Sequence, residues 1–245
     1  MYVRVQGSGP RAFLAVHGWA GSHRDYAAIA AALPAGVRFA RLDLPGHGRS
    51  PAPTSWTPEA IIHPILQAAT ELHNGPVTLV GFCSGAGLVA LAAHQAPEVV
   101  ARLVLIEPLF FVPWYFRLFT LGRFGAMAYG CTFASPRGRA LTNGILRTRQ
   151  RSEADFTAAF AHIDHGVALR YLRLFVTLPR PYRLPPPRAS VDVCHGDHTF
   201  QAVRRSAALL QAAWPHTRVH RLHHSGHLPL RQAAAQIRQI LFEGG

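Results

Sequence analysis

The sequence predicts an α/β protein: a mostly parallel, doubly wound sheet with an inserted helical cap. Three observations carry that reading. Short runs rich in Val, Leu and Ile alternate with longer helical patterns. The conspicuous glycines, histidines and acids follow those runs, at the strand ends where open α/β sheets bind their ligands. The alternation lapses once, between residues 108 and 187, where aromatic residues crowd and no strand pattern is visible.

The runs at 12–16, 37–42, 77–80, 103–106, 191–194 and 219–222, rich in Val, Leu and Ile, read as buried parallel strands. Ahead of them, Met1-Tyr2-Val3-Arg4 leads into an alternating strand pattern. Helical periodicity occupies 24–33, 58–72, 85–94, 201–213 and 230–242. The core is therefore expected from 1–107 and 188–245. The insertion at 108–187 holds Phe110, Phe111, Trp114, Tyr115, Phe116 and Phe119, then helical patterns at 152–162 and 165–178. Pro185-Pro186-Pro187 would return the chain to the core as a stiff extended segment. A cap over the strand ends encloses a pocket, so Phe110, Phe111, Trp114 and Tyr115 are candidate substrate-lining residues. With 245 residues, 49% of them hydrophobic, the chain suffices for one such core.

The formal charge is +13, and all 25 basic residues are arginine. Twelve of them fall between Pro108 and Arg188 against only Glu153, Asp155 and Asp164. That excess would steer an anionic partner such as an acidic acyl carrier protein or coenzyme A, or would be a solvated surface. It does not by itself imply nucleic acid. No apolar run reaches the roughly 20 residues of a spanning helix, and the N-terminus resembles no signal peptide. Cys83, Cys131 and Cys194 are too few and too scattered for a disulfide framework, so a reducing cytoplasm is expected. Cys194, His195, Asp197 and His198 alternate across a strand and would not converge on a metal. No phosphate-cradling glycine loop is present, so no cofactor is expected. Oligomeric state is not legible.

Leu79 to Gly87 reads as a buried strand, a tight turn and a helix, with Cys83 at the apex. A sharp strand-to-helix turn needs nearly side-chain-free residues two before and two after its centre. Centring on Cys83 places Gly81 and Gly85 there, whereas centring on Ser84 places Phe82 and Ala86. The thiol, not the hydroxyl, fits the nucleophile position. The alternative is a small residue packed at a strand end.

Four motifs in order, His17-Gly18-Trp19-Ala20-Gly21-Ser22, Asp43-Leu44-Pro45-Gly46-His47-Gly48-Arg49-Ser50, the turn at Cys83, and Ser225-Gly226-His227, resemble those of the α/β-hydrolases over nearly the whole chain. The likeness extends to capped carboxylesterases, including the carrier-protein methyl ester esterases of biotin synthesis, which share the His-Gly-Trp loop. The resemblance implies backbone donors at Trp19 and Ser84 for a carbonyl oxyanion, His227 as general base, and structural roles for His17, His47 and Asp43. The orienting acid stays open. The family's usual position falls on Thr199, with Asp197 two residues early, while Glu107 occupies a location used by some relatives. Asp197 is marginally preferred on the expectation of a small loop shift. Polyhydroxyalkanoate synthases and dienelactone hydrolases, with Gly-x-Cys-x-Gly turns, make a cysteine nucleophile compatible with catalysis. The function expected is hydrolysis of a hydrophobic acyl ester or thioester through an acyl-cysteine. The alternatives are an acyltransferase or cyclase using the same intermediate, and a non-catalytic binder of small ligands.

Overall fold

Each apolar run becomes a strand of one seven-stranded sheet in the computed structural model, which describes residues 1–150 and 154–243. The strands are β1 (Val3–Gln6), β2 (Arg11–Val16), β3 (Val37–Leu42), β4 (Val77–Phe82), β5 (Val100–Ile106), β6 (Ser190–Gly196) and β7 (Arg218–Leu222). Their spatial order is β1-β3-β2-β4-β5-β6-β7, with β1 antiparallel to β3 and every other pair parallel. The strand order reverses beside β2 and β4, and at such a switch point the loops diverge and leave a crevice at the carboxyl ends.

Successive side chains of the central strands point to opposite faces, and each face is covered by its own helices. Leu14, Val16, Leu79, Leu103 and Val193 pack under α2 (Pro58–Leu72), α3 (Gly85–Gln95) and α8 (Gln201–Ala213). Phe13, Ala15, Val80, Val104 and Ile106 pack under α1 (Ala27–Ala30) and α10 (Ala234–Phe242). The helix expected at 24–33 is shorter, a 3₁₀ turn at His23–Tyr26 running into α1. That at 230–242 splits into α9 (Pro229–Gln232) and α10 around Ala233.

Between β5 and β6 the chain is helical: α4 (Trp114–Leu118), α5 (Gly122–Tyr129), a π turn at Gly130–Ala134, α6 (Pro136–Gln150) and α7 (His165–Thr177). Of the helix expected at 152–162, Ser152 and Glu153 lie outside the described residues. The remainder holds only a 3₁₀ turn at Ala158–Ala161. This segment has its own small core of Tyr129, Phe133, Phe160, Leu169 and Leu172, into which Trp19 of the β2 loop inserts. The Trp19 indole N–H donates to the Ala168 carbonyl at 2.8 Å, and the Tyr171 hydroxyl donates to the Pro45 carbonyl at 3.0 Å.

One buried charge fastens the far side of the sheet. Asp192 on β6 is fully buried and accepts from Arg102 Nε (2.7 Å), Arg218 Nε (2.8 Å) and Arg218 Nη2 (2.9 Å), while His220 Nε2 lies 2.7 Å away. Arg102 also donates to the Ile240 and Leu241 carbonyls, tying β5 to the end of α10. Removing one member leaves a buried charge uncompensated. Asp192→Ala is therefore expected to lower unfolding free energy by about 3–5 kcal/mol, measured by chemical denaturation.

Candidate active site

All the loops that carry the singled-out residues leave the carboxyl ends of the strands. At the end of β4, Cys83 is held at φ +53°, a left-handed conformation that costs a non-glycine residue about 1–2 kcal/mol. Its N–H donates to the Ile106 carbonyl (2.9 Å), and its carbonyl accepts from Ala86 N–H (3.2 Å). A Cβ on Gly81 would lie 2.6 Å from Ala86 Cα, and one on Gly85 2.3 Å from the His17 carbonyl oxygen. The turn thus closes only because both flanks lack side chains. Ser84 is buried and its hydroxyl has no hydrogen-bond partner among the described residues, so nothing there activates it.

His227, between β7 and α9, lines the same cavity as Cys83. Its Nδ1 lies 2.7 Å from Glu107 Oε2, and its ring packs against Phe82 and Phe200 at centroid distances of 5.8 and 5.1 Å. Glu107 follows β5, is fully buried, and is itself left-handed at φ +52°. Its Oε1 accepts from Gly196 N–H (2.6 Å), and the Thr199 hydroxyl donates to Oε2. The preference for Asp197 as partner of His227 is therefore corrected. Asp197 accepts from the backbone N–H groups of His224 (3.0 Å) and Ser225 (3.1 Å), which braces the His227 loop from outside. Thr199, at the position expected for an acid, carries a hydroxyl that supports Glu107 instead.

Burial opposes charge on the His227 ring, but the neighbouring Cys83 sulfur and the Glu107 carboxylate outweigh it and raise the ring to about 10. The other two motif histidines behave differently. His17 accepts from Leu44 N–H through Nε2 and faces the Gly18 carbonyl through Nδ1; burial, with His47 nearby, lowers it to about 3. His47 is lowered to about 4, chiefly by burial. Asp43 accepts from His23 and Arg49 N–H groups. These residues knit loops together away from the sulfur.

The β2 loop closes over Cys83 so tightly that a Cβ on Gly18 would lie 2.8 Å from the Cys83 Cβ. The Trp19 and Ser84 backbone N–H groups donate no hydrogen bond among the described residues. Above them lies a cavity of about 930 Å³ lined by Cys83, His227, Trp19, Thr199 and residues of the helical segment, both aromatic and polar. Phe111 and Tyr115 line it. Phe110 does not: it is buried in the core and borders a separate groove of about 550 Å³. Trp114 does not either, being 72% exposed. Phe133, Phe156, Phe160 and Phe200 also line the cavity, and their place was not legible from sequence spacing. Arg205 covers the Phe111 ring at 4.1 Å. Asp25, another wall residue missed in the sequence, is raised to about 6 by burial, against the opposing pull of Ser22 N–H and Arg231. No cluster of metal-ligating side chains occurs among the described residues.

Residues 11–233 match the α/β-hydrolase-fold family. The chain belongs to that family. Within this hydrolase family, a pimeloyl-[acyl-carrier protein] methyl ester esterase of Methylococcus capsulatus is 33% identical over 106 residues, 43% of this chain and 40% of that protein. Lipase LipV of Mycobacterium tuberculosis is 36% identical over 101 residues, 41% of this chain and 38% of that one. The chain thus spans about two fifths of the length of the curated relatives it matches. Among solved structures, an esterase from Thermogutta terrifontis superposes with a TM-score of 0.80 at 18% identity, over 99% of this chain and 92% of that one. MenH from S. aureus does so at 0.80 and 13% identity, over 98% and 96%. At such identities the likeness is one of fold. Together these establish the α/β-hydrolase fold, in a chain whose relatives include esterases and a lipase.

A raised histidine contributes stability in full below its free value near 6.5, and that contribution is lost as pH climbs to about 10. In an NMR titration His227 is expected to hold its proton to about pH 10. Glu107→Gln should lower that midpoint by about a unit or more, and Asp197→Asn should move it less.

Proposed function

We propose that the protein hydrolyses hydrophobic acyl esters or thioesters through a covalent acyl-Cys83 intermediate. The observation that carries this reading is the left-handed Cys83 sharing a cavity wall with His227, whose Nδ1 is held by the buried Glu107. A proton held on the His227 ring beside Cys83 suits nucleophilic attack by sulfur. The N-terminus of α3 adds a positive dipole beside that sulfur.

In this mechanism Cys83 Sγ bonds to the substrate carbonyl carbon, and the carbonyl electron pair moves onto oxygen. The Trp19 and Ser84 N–H groups, which donate to no protein acceptor among the described residues, receive that oxyanion. Collapse breaks the bond to the leaving alcohol or thiol, which takes the proton from His227 Nε2. The ring, now neutral, removes a proton from water as the water oxygen attacks the acyl-thioester. A second collapse releases the carboxylic acid and restores the thiolate–imidazolium pair. Glu107 holds the ring orientation through both steps, and Thr199 and Gly196 N–H hold Glu107. The helical segment at 108–187 acts as the cap. Its aromatic walls, with Phe111 and Tyr115, accept the acyl chain.

The relatives named above include an esterase acting on a carrier-protein-borne ester, and the arginines of 108–187 would also suit a substrate on coenzyme A. Intact-mass measurement after incubation with aryl esters and acyl-coenzyme A thioesters tests the reading. Wild type should show an acyl adduct or turnover, Cys83→Ala should lose about 10⁴-fold in kcat, and Ser84→Ala should retain the adduct. Turnover that depends on Ser84 and not Cys83 would refute it.

A further inference from the structure

Outside the cavity, one surface has the composition of an interface. Eleven large apolar side chains are exposed among the described residues, and eight of them lie between Trp114 and Ile145. Trp114 and Leu118 lie one turn apart on α4; Leu121, Phe124 and Met127 follow at three-residue intervals along α5; Leu141 and Ile145 lie one turn apart on α6. Phe124, Met127 and Leu141 are 63%, 62% and 70% exposed. A soluble monomer seldom exposes so many bulky apolar side chains within one short helical segment without an occupant.

Charge says which occupant. From residue 108 to 150 the sequence contains no Asp or Glu, but it has arginines at 117, 123, 137, 139, 147 and 149. Arg117, Arg123 and Arg137 are exposed, and no carboxylate pairs with them among the described residues. Large apolar side chains interspersed with cations and free of acids are what helices lying in a bilayer interface present. The apolar side chains, Tyr115 excepted, line neither cavity. They project from three helices, which suits a fluid acyl layer that needs no matching relief. The position fits as well. Thr142 and Leu146 line the cavity one residue around α6 from the exposed Leu141 and Ile145, and Tyr115 is both 43% exposed and part of the cavity wall. The cavity mouth therefore adjoins this face.

We propose that α4–α6 dock on the surface of an anionic lipid bilayer. The proposal goes beyond hydrolysis and does not depend on Cys83, because binding is read without turnover. Co-sedimentation with vesicles of phosphatidylcholine, alone or with phosphatidylserine at about three to one, tests it. Wild type and Cys83→Ala should both sediment with the mixed vesicles, far less with phosphatidylcholine alone, and less as salt is raised. Phe124→Ser/Met127→Ser/Leu141→Ser should reduce partitioning at least about tenfold while hydrolysis of a water-soluble ester is unchanged. Arg123→Glu/Arg137→Glu, which leaves the apolar face intact, should weaken binding to the mixed vesicles only. Failure of wild type to bind either vesicle, or equal binding by both variants, would overturn the proposal. So would a dimer in solution, or an acidic carrier protein bound instead of vesicles, if either were lost in the triple variant.

Discussion

The structure depends most on the backbone turn at Cys83. A chain leaving a buried strand and entering a helix within three residues must reverse direction inside packed surroundings, and here it does so against the His17 carbonyl on one side and Ala86 on the other. The strained left-handed residue is tolerated because the sheet and α3 over-determine it. The same closeness holds the β2 loop against Cys83, and the Trp19 and Ser84 N–H groups beside it donate to no acceptor among the described residues.

Around that turn, three strand ends bring together Cys83 after β4, Glu107 after β5 and His227 after β7, with Glu107 hydrogen-bonded to His227. β6 contributes no acid to it. It supplies the Gly196 N–H and the Thr199 hydroxyl, which bind the carboxylate and fix its orientation. The neighbouring Cys83 sulfur and the Glu107 carboxylate together hold the histidine proton far above its ordinary range. Asp197 serves a different end of the same loop, as a brace for the backbone that presents His227. Two carboxylates within one site thus divide between orienting a ring and ordering a turn.

The helical segment divides its aromatic residues in a similar way. Trp19 enters the small core of Tyr129, Phe133 and Phe160 and locks the segment onto the β2 loop, so the residue expected to donate a backbone N–H also anchors the cavity roof. Adjacent residues take different fates: Phe110 goes into the core while Phe111 lines the cavity, and Trp114 faces solvent while Tyr115, itself partly exposed, and Phe116 line the cavity.

Local rules were enough for much of the protein. The apolar runs specified parallel strands, and the two glycines flanking Cys83 specified the register of the turn, because both depend on backbone sterics that neighbouring residues in the chain impose. The identities of His227 and of the two candidate acids were also visible in sequence order. The choice between Glu107 and Asp197 was not, since it turns on side-chain direction at the ends of two different strands. Glu107 is aimed at the ring by its left-handed backbone and by donors from β6, ninety residues away in sequence. Which aromatics enclose the cavity likewise followed only from how the helices of 108–187 pack, because aromatic residues closely spaced in the chain carry no information about the face each one turns to the core.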